Sequence, residues 1–373
     1  MLRLFILSFV VSAVMGYFTL RTWYLHGRYT GDFASRGSHK VHVTAVPRIG
    51  GISVFGGWLA GLVASIYYLN VQTQAVQVWV ICILPVFFGG LAEDVTKRVS
   101  ATTRLLFSFS TAALGFILMD AAVRRVDVFG IDPMLTSPAI SFLFTLVAVG
   151  GVAHAMNIID GLNGLALSVC LVAFLALGYV AFNVNDHEVL LMSGLGIGAL
   201  LGLYVWNFPG GRIYCGDGGA YFLGGYIAIL SVLLVQRNPQ VSAWFPLLLV
   251  LYPVWETLFS AYRRRVVRGT PASAPDRLHL HTLLYRRVKH RIVGNTPARR
   301  NSDASISIVI LVIGNAIPAV LWWQDTSYLM VSALVFIGLY LRIYRRLVMF
   351  GFRGAKMPVA VTEEGMPAAV IQG

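Results

Sequence analysis

Long apolar runs separated by short polar stretches fill this chain of 373 residues. About 20 apolar residues in a helix cover the roughly 30 Å hydrocarbon core of a bilayer. About eleven runs reach or approach that length: 2–25, 49–69, 76–92, 103–123, 138–156, 162–182, 189–206, 220–235, 243–262, 306–323 and 328–344. The pattern predicts an all-α polytopic membrane protein, with 1–347 as one transmembrane domain and 348–373 as a tail that stays disordered. The first run passes through Tyr17 and Phe18 to Trp23 and Tyr24, unlike the short core and small-residue site of a cleaved leader, and reads as a retained span.

Two connecting segments carry patterns of their own. Val126 to Gly130 reads as a short strand and turn, with Asp127 and Asp132 as turn residues. In the basic stretch 263–303, Leu283, Leu284, Val288, Ile292 and Val293 alternate with Arg286, Arg287, Lys289 and Arg291. That spacing predicts an amphipathic helix at the membrane interface, the alternative being a solvated basic loop.

Composition agrees with the runs: 57% of residues are hydrophobic and 12% charged, against about 45–50% and about 25% in soluble domains. The net charge of +13 would suit nucleic acid, but its distribution argues otherwise. All of the 29 Lys and Arg except Arg3, Arg21, Arg124, Arg125 and Arg237 fall in alternate loops on one side or in the C-terminal tail. The positive-inside rule puts that side in the cytosol and the N-terminus outside, so the charge serves topology and anionic lipid rather than nucleic acid. Cys82 and Cys170 lie inside apolar runs and Cys215 beside Gly216, which makes neither a disulfide frame nor a zinc set.

The residues able to do chemistry gather in five loops on that same side. Lys40, His42 and Arg48 precede Gly50-Gly51, a weak anion-binding signal alone. Glu93-Asp94 stands beside Lys97-Arg98, acids to hold metal or take a proton next to cations for phosphate, or else an ordinary membrane-edge turn. Asn157, Asp160 and Asn163 interrupt apolar sequence together with Gly161 and Gly164; polar groups at such depth are costly unless they face protein or a watery cavity, although Asp160 could simply cap the next helix. Asp217 sits among Gly216, Gly218 and Gly219 before an apolar helix, where a carboxylate can coordinate Mg²⁺ and free amides can meet phosphate; a plain capped turn is the alternative. Arg277, His279 and His281 suit phosphate better than zinc, since the remaining ligands are hard oxygen donors. His154, inside a run, reads as hydrogen-bonded packing.

These motifs, in order from Lys40 to about Arg287, resemble the polyprenyl-phosphate N-acetylhexosamine-1-phosphate transferase family, which includes undecaprenyl-phosphate GlcNAc-1-phosphate transferases and phospho-MurNAc-pentapeptide translocases. The resemblance implies transfer of a sugar 1-phosphate from a UDP-N-acetylhexosamine to undecaprenyl phosphate, releasing UMP. It implies Mg²⁺, with Mn²⁺ as a substitute, held by Asp217 and Asp94. Asp94 would be the base or phosphate-activating carboxylate with Glu93 beside it, and Lys97 a diphosphate contact. Asn157, Asp160 and Asn163 would line the nucleotide pocket, and His42, Arg277, His279 and His281 would engage the donor. Membrane lipids and a second copy of the chain are the remaining expected partners. Two positions depart from the family pattern: Glu93 replaces the first Asp of an Asp pair, and Thr282 replaces a third His. The number of spans and the cytosolic C-terminus favour the GlcNAc-1-phosphate branch. The competing reading is a transporter or channel, which would place its charges near mid-membrane and open to both faces.

Overall fold

The computed structural model describes residues 1–32, 46–269, 278–287 and 297–354. The helices are α1 (Leu2–Arg21), α2 (Trp23–Thr30), α3 (Gly50–Leu69), α4 (Thr73–Thr96), α5 (Ala101–Met119), the short α6 (Asp132–Leu135), α7 (Pro138–Ile159), α8 (Leu165–Asn183), α9 (His187–Asn207), α10 (Gly216–Arg237), α11 (Trp244–Leu249), α12 (Leu251–Tyr262), α13 (Leu280–Arg287), α14 (Pro297–Leu321) and α15 (Thr326–Gly354). A π-helical turn, Arg263–Val267, extends α12. Two-residue strands β1 (Gly31–Asp32) and β2 (Val46–Pro47) pair antiparallel.

Among the described residues, ten helices are long and apolar enough to cross a membrane. The run 243–262, expected as an eleventh span, is instead broken at Val250 into α11 and α12. Pro253 explains the break, because it lacks an amide hydrogen and its ring crowds the carbonyl of Leu249 in the preceding turn. Backbone interrupted at membrane depth must find partners within the protein, and Asn315 of α14 donates to the Leu248 carbonyl at 2.6 Å.

Three other expectations change. Residues 126–130 form no strand; Asp127, with φ 53°, accepts from the Ala243 amide at 2.7 Å and from the hydroxyls of Ser242 and Thr326, stapling this segment to the starts of α11 and α15. Helix α14 begins well before residue 306, and its first turns bury Asn301, Ser302 and Asp303, so the basic connection is shorter than expected. Helix α13 does form, but Leu280, Leu283 and Leu284 are buried in the protein core rather than laid on a lipid surface. Residues 288–293 of the expected amphipathic helix lie outside the described residues.

Helix α10 is the axis of the bundle. Every residue from Gly216 to Leu230 is buried, with α3, α4, α7 and α8 packed around it. Large aromatics lock it to its neighbours: Phe222 stacks on Tyr226, Phe55 of α3 stacks on Phe87 of α4 at 4.1 Å, and Trp58 meets both α10 rings edge-on. Such pairs contribute about 0.5–1.5 kcal/mol beyond the area they bury. The N-terminus of α10 therefore has a fixed position, and the polar loops assemble around it.

Candidate active site

Glycine makes the close approach at this end possible. A Cβ on Gly90 of α4 would stand 2.5 Å from the carbonyl carbon and oxygen of Asp217, and one on Gly216, whose φ is +73°, would overlap the Arg48 carbonyl. Side chains are excluded at such distances, so the backbones of α4, the residue 46–49 segment and α10 meet directly.

Asp94, in the last turns of α4, is fully buried. Its Oδ1 accepts from the Asp217 amide at 2.9 Å and its Oδ2 from the Gly218 amide at 2.8 Å. A carboxylate on the positive end of a helix gains from the aligned peptide dipoles as well as from the two bonds. Asp160, for which a cap on the following helix is the alternative to a pocket role, terminates α7 and accepts from the Gly216 amide. Loss of water pushes its carboxyl up to about 7, while Arg48 and that amide pull the other way. The amides of residues 216–218 are thus already engaged by carboxylates and are not free for phosphate, contrary to the sequence expectation.

The Asp217 carboxylate, 6% exposed, turns to cations instead. Arg48 Nη2 lies 3.1 Å from Oδ1, and Arg104 Nη1 is bonded to Oδ2. Arg48 Nε also stands 3.8 Å from Asp94. Arg104 lies over the Tyr221 ring, whose hydroxyl is 2.8 Å from His154 Nδ1, so His154 is hydrogen-bonded packing as expected. The sequence reading gave Arg48 only as part of a weak motif and Arg104 only as positive charge; both touch the central carboxylate.

Glu93 does not turn inward: its Oε2 accepts from the Val99 amide at 2.7 Å and closes the turn after α4. Lys97 ends that helix in the left-handed conformation, exposed at the same rim. Asn157 lies half-buried in the last turn of α7. Asn163 is scaffold in this arrangement, with its amide donating to the Pro209 carbonyl at 3.3 Å and its backbone amide donating to Asn301. Asn207 and Asn301, both unremarked in the sequence, hold the 160–164 loop: the Gly164 amide donates to Asn207 Oδ1 at 2.6 Å. His281 closes the far side, its Nε2 3.1 Å from where a Cβ on Gly161 would stand, and His279 stacks parallel to it at 5.3 Å. Lys40, His42 and Arg277 lie outside the described residues.

Four of the five sequence motifs therefore converge on the start of α10, and Asp94 and Asp217 adjoin directly. As a metal site the fit is partial. No group of three or more His, Cys, Asp and Glu able to hold an ion occurs among the described residues. Mg²⁺, however, is commonly held by one or two carboxylates plus substrate phosphates and water. Asp217, whose carboxylate is paired with the Arg48 and Arg104 guanidiniums, meets that need. Asp94 gives one lone pair of each oxygen to an amide, so in this geometry it first of all caps the start of α10.

Comparison with known proteins bears on the same segments. A model of glycosyl transferase family 4 matches residues 76–235. The chain is 30% identical, over 65% of its length and 67% of the relative's, to a probable undecaprenyl-phosphate N-acetylglucosaminyl 1-phosphate transferase of Bacillus subtilis. A decaprenyl-phosphate N-acetylglucosaminephosphotransferase of Mycobacterium tuberculosis is 26% identical over 88% of this chain and 86% of its own. A phospho-N-acetylmuramoyl-pentapeptide-transferase of Rubrobacter xylanophilus is 25% identical over 71% and 84%. The matched region of α4 to α10 contains the whole Asp94–Asp160–Asp217 arrangement, and on this ground the chain belongs to glycosyl transferase family 4.

Proposed function

We propose that the protein transfers an N-acetylhexosamine 1-phosphate, with GlcNAc-1-phosphate the leading donor group, from a UDP-sugar to undecaprenyl phosphate. The names of its relatives support a polyprenyl phosphate acceptor and an N-acetylhexosamine 1-phosphate donor group. The observation that carries the reading is Asp217, held between two guanidiniums at a buried helix start, with His281 against Gly161 of the neighbouring loop and His279 stacked on it. That collection offers positive charge to a diphosphate and one carboxylate to a divalent cation.

In the reaction, an oxygen of the lipid phosphate attacks the sugar-bearing phosphorus of the donor. The bond from that phosphorus to the bridging oxygen breaks, and UMP leaves with the electron pair. Arg48, Arg104 and Lys97 lower the repulsion between two anionic reactants and offset the charge spread over the transition state. Asp94 and Asp160 act through the backbone by fixing the amides that set the position of Asp217. Asp217 would hold Mg²⁺, which would supply Lewis acidity and neutralise phosphate charge.

A cavity of about 740 Å³ runs between α7, α10 and the broken α11–α12 pair, lined almost wholly by apolar groups such as Val147, Val152, Val232 and Leu247. Its reach to Ala155, Thr257 and Leu258 supports an acceptor whose hydrocarbon tail rests in the bundle with its phosphate towards the site. The positive-inside distribution supports an inner-membrane enzyme with the site on the cytosolic side, where its product would initiate an envelope polysaccharide or O-antigen. The names of the relatives, all transferases, do not favour a transporter.

The test is direct. Purified protein with undecaprenyl phosphate, Mg²⁺ and UDP-GlcNAc is expected to release UMP, with chelation stopping it and Mg²⁺ or Mn²⁺ restoring it. A panel of UDP-N-acetylhexosamines identifies the donor, and no UMP from any of them defeats the proposal.

A further inference from the structure

Glu256 lies in α12, inside an apolar run, and is fully buried. A carboxylate in such a place is costly without partners. Its partners come from two other elements: Oε1 takes His279 Nδ1 at 2.9 Å, the Leu280 amide lies within 3.3 Å of both oxygens, and Tyr340 of α15 donates to Oε2 at 2.9 Å. Among the described residues no Lys or Arg is paired with it, so these donors are what makes its burial tolerable.

The bond to His279 fixes which ring nitrogen is used. With Nδ1–H donating to the carboxylate, the nitrogen left for a ligand is Nε2. The bond to the Leu280 amide holds the backbone at the first residue of α13, which sets the stacked pair His279 and His281 against Gly161. We propose that Glu256 is a positioning residue that orients His279, and through it the parallel imidazole pair, over the Asp160-Gly161 loop to engage the donor's phosphates. This rests on the transferase reading above. Tyr340 is the second support, tying the same carboxylate to the last helix.

Partners that orient a functional histidine typically contribute 10–100-fold to affinity or activity. Glu256→Gln is expected to lower kcat for UMP release by about that factor, with a lower melting temperature as well, since its NH₂ would face one of the donors that Glu256 accepts from. In a His279→Asn background the same substitution is expected to cost nothing further. Equal losses in both backgrounds would show that Glu256 acts independently of His279 and would overturn the proposal. A second measurement needs neither turnover nor a variant that folds. In the full chain labelled with ¹⁵N-histidine, His279 Nδ1 should carry a proton in the absence of donor, and an unprotonated Nδ1 refutes the orientation. Because that spectrum is read without substrate, it stands apart from any failure of the transferase assay.

Discussion

Replacing Asp94 by Asn separates a helix-capping role from a role in proton or metal chemistry. In the native arrangement each carboxylate oxygen accepts one buried amide, from Asp217 and Gly218. Asn keeps one acceptor, but its NH₂ must face the other amide, donor against donor. Losing a hydrogen bond to a charged group costs about 1.5–3 kcal/mol, and leaving the second N–H unsatisfied about 1–3 kcal/mol. The lost charge–dipole attraction removes up to about 2 kcal/mol more. Allowing for overlap, we expect roughly 2–5 kcal/mol of destabilisation, a large part of the 5–15 kcal/mol typical of a folded protein. In detergent this should lower the melting temperature by roughly 3–6 °C. UMP release should fall with it, since Asp217 loses its anchor. Asp94→Asn with an unchanged melting temperature and abolished turnover would refute the capping argument and return Asp94 to direct chemistry.

Asp217→Asn should abolish UMP release while leaving the melting temperature near that of the parent, because the partly exposed Arg48 and Arg104 can turn to solvent; near-normal turnover would remove Asp217 from the site. Asp160, whose carboxyl burial raises to about 7, holds a proton in the folded state that the unfolded chain releases near pH 4. Its contribution to stability therefore declines as pH rises from about 4 to about 7, and Asp160→Asn should flatten the fall in melting temperature over that window; an identical profile would contradict the burial. Gly90→Ala should lower the melting temperature by an amount equivalent to about 1–3 kcal/mol, since its Cβ would meet the Asp217 backbone; no loss would mean that α4 and α10 can separate freely.

Much of the architecture is legible from periodicity because a bilayer demands long, internally hydrogen-bonded helices. Ten of the eleven expected runs became such helices. The eleventh failed because Pro253 interrupts backbone continuity just after Val250, which hydropathy does not register. Glu256 was legible in principle: a lone acid in the apolar stretch 243–262 signals function at membrane depth. Arg104 was not, because nothing local distinguishes a cation that pairs 113 residues away from one that faces water.

The sequence by itself determined the membrane class and marked out the motifs that the fold brings together around α10, since both follow from residue type and order along one chain. Roles within the site were decided only in three dimensions. Asp94 and Asp217 are chemically the same acid, yet one accepts from two amides at the start of α10 and the other faces two guanidiniums. Burial and hydrogen-bond partners set what a carboxylate can do, and both depend on the packing of α4 against the start of α10.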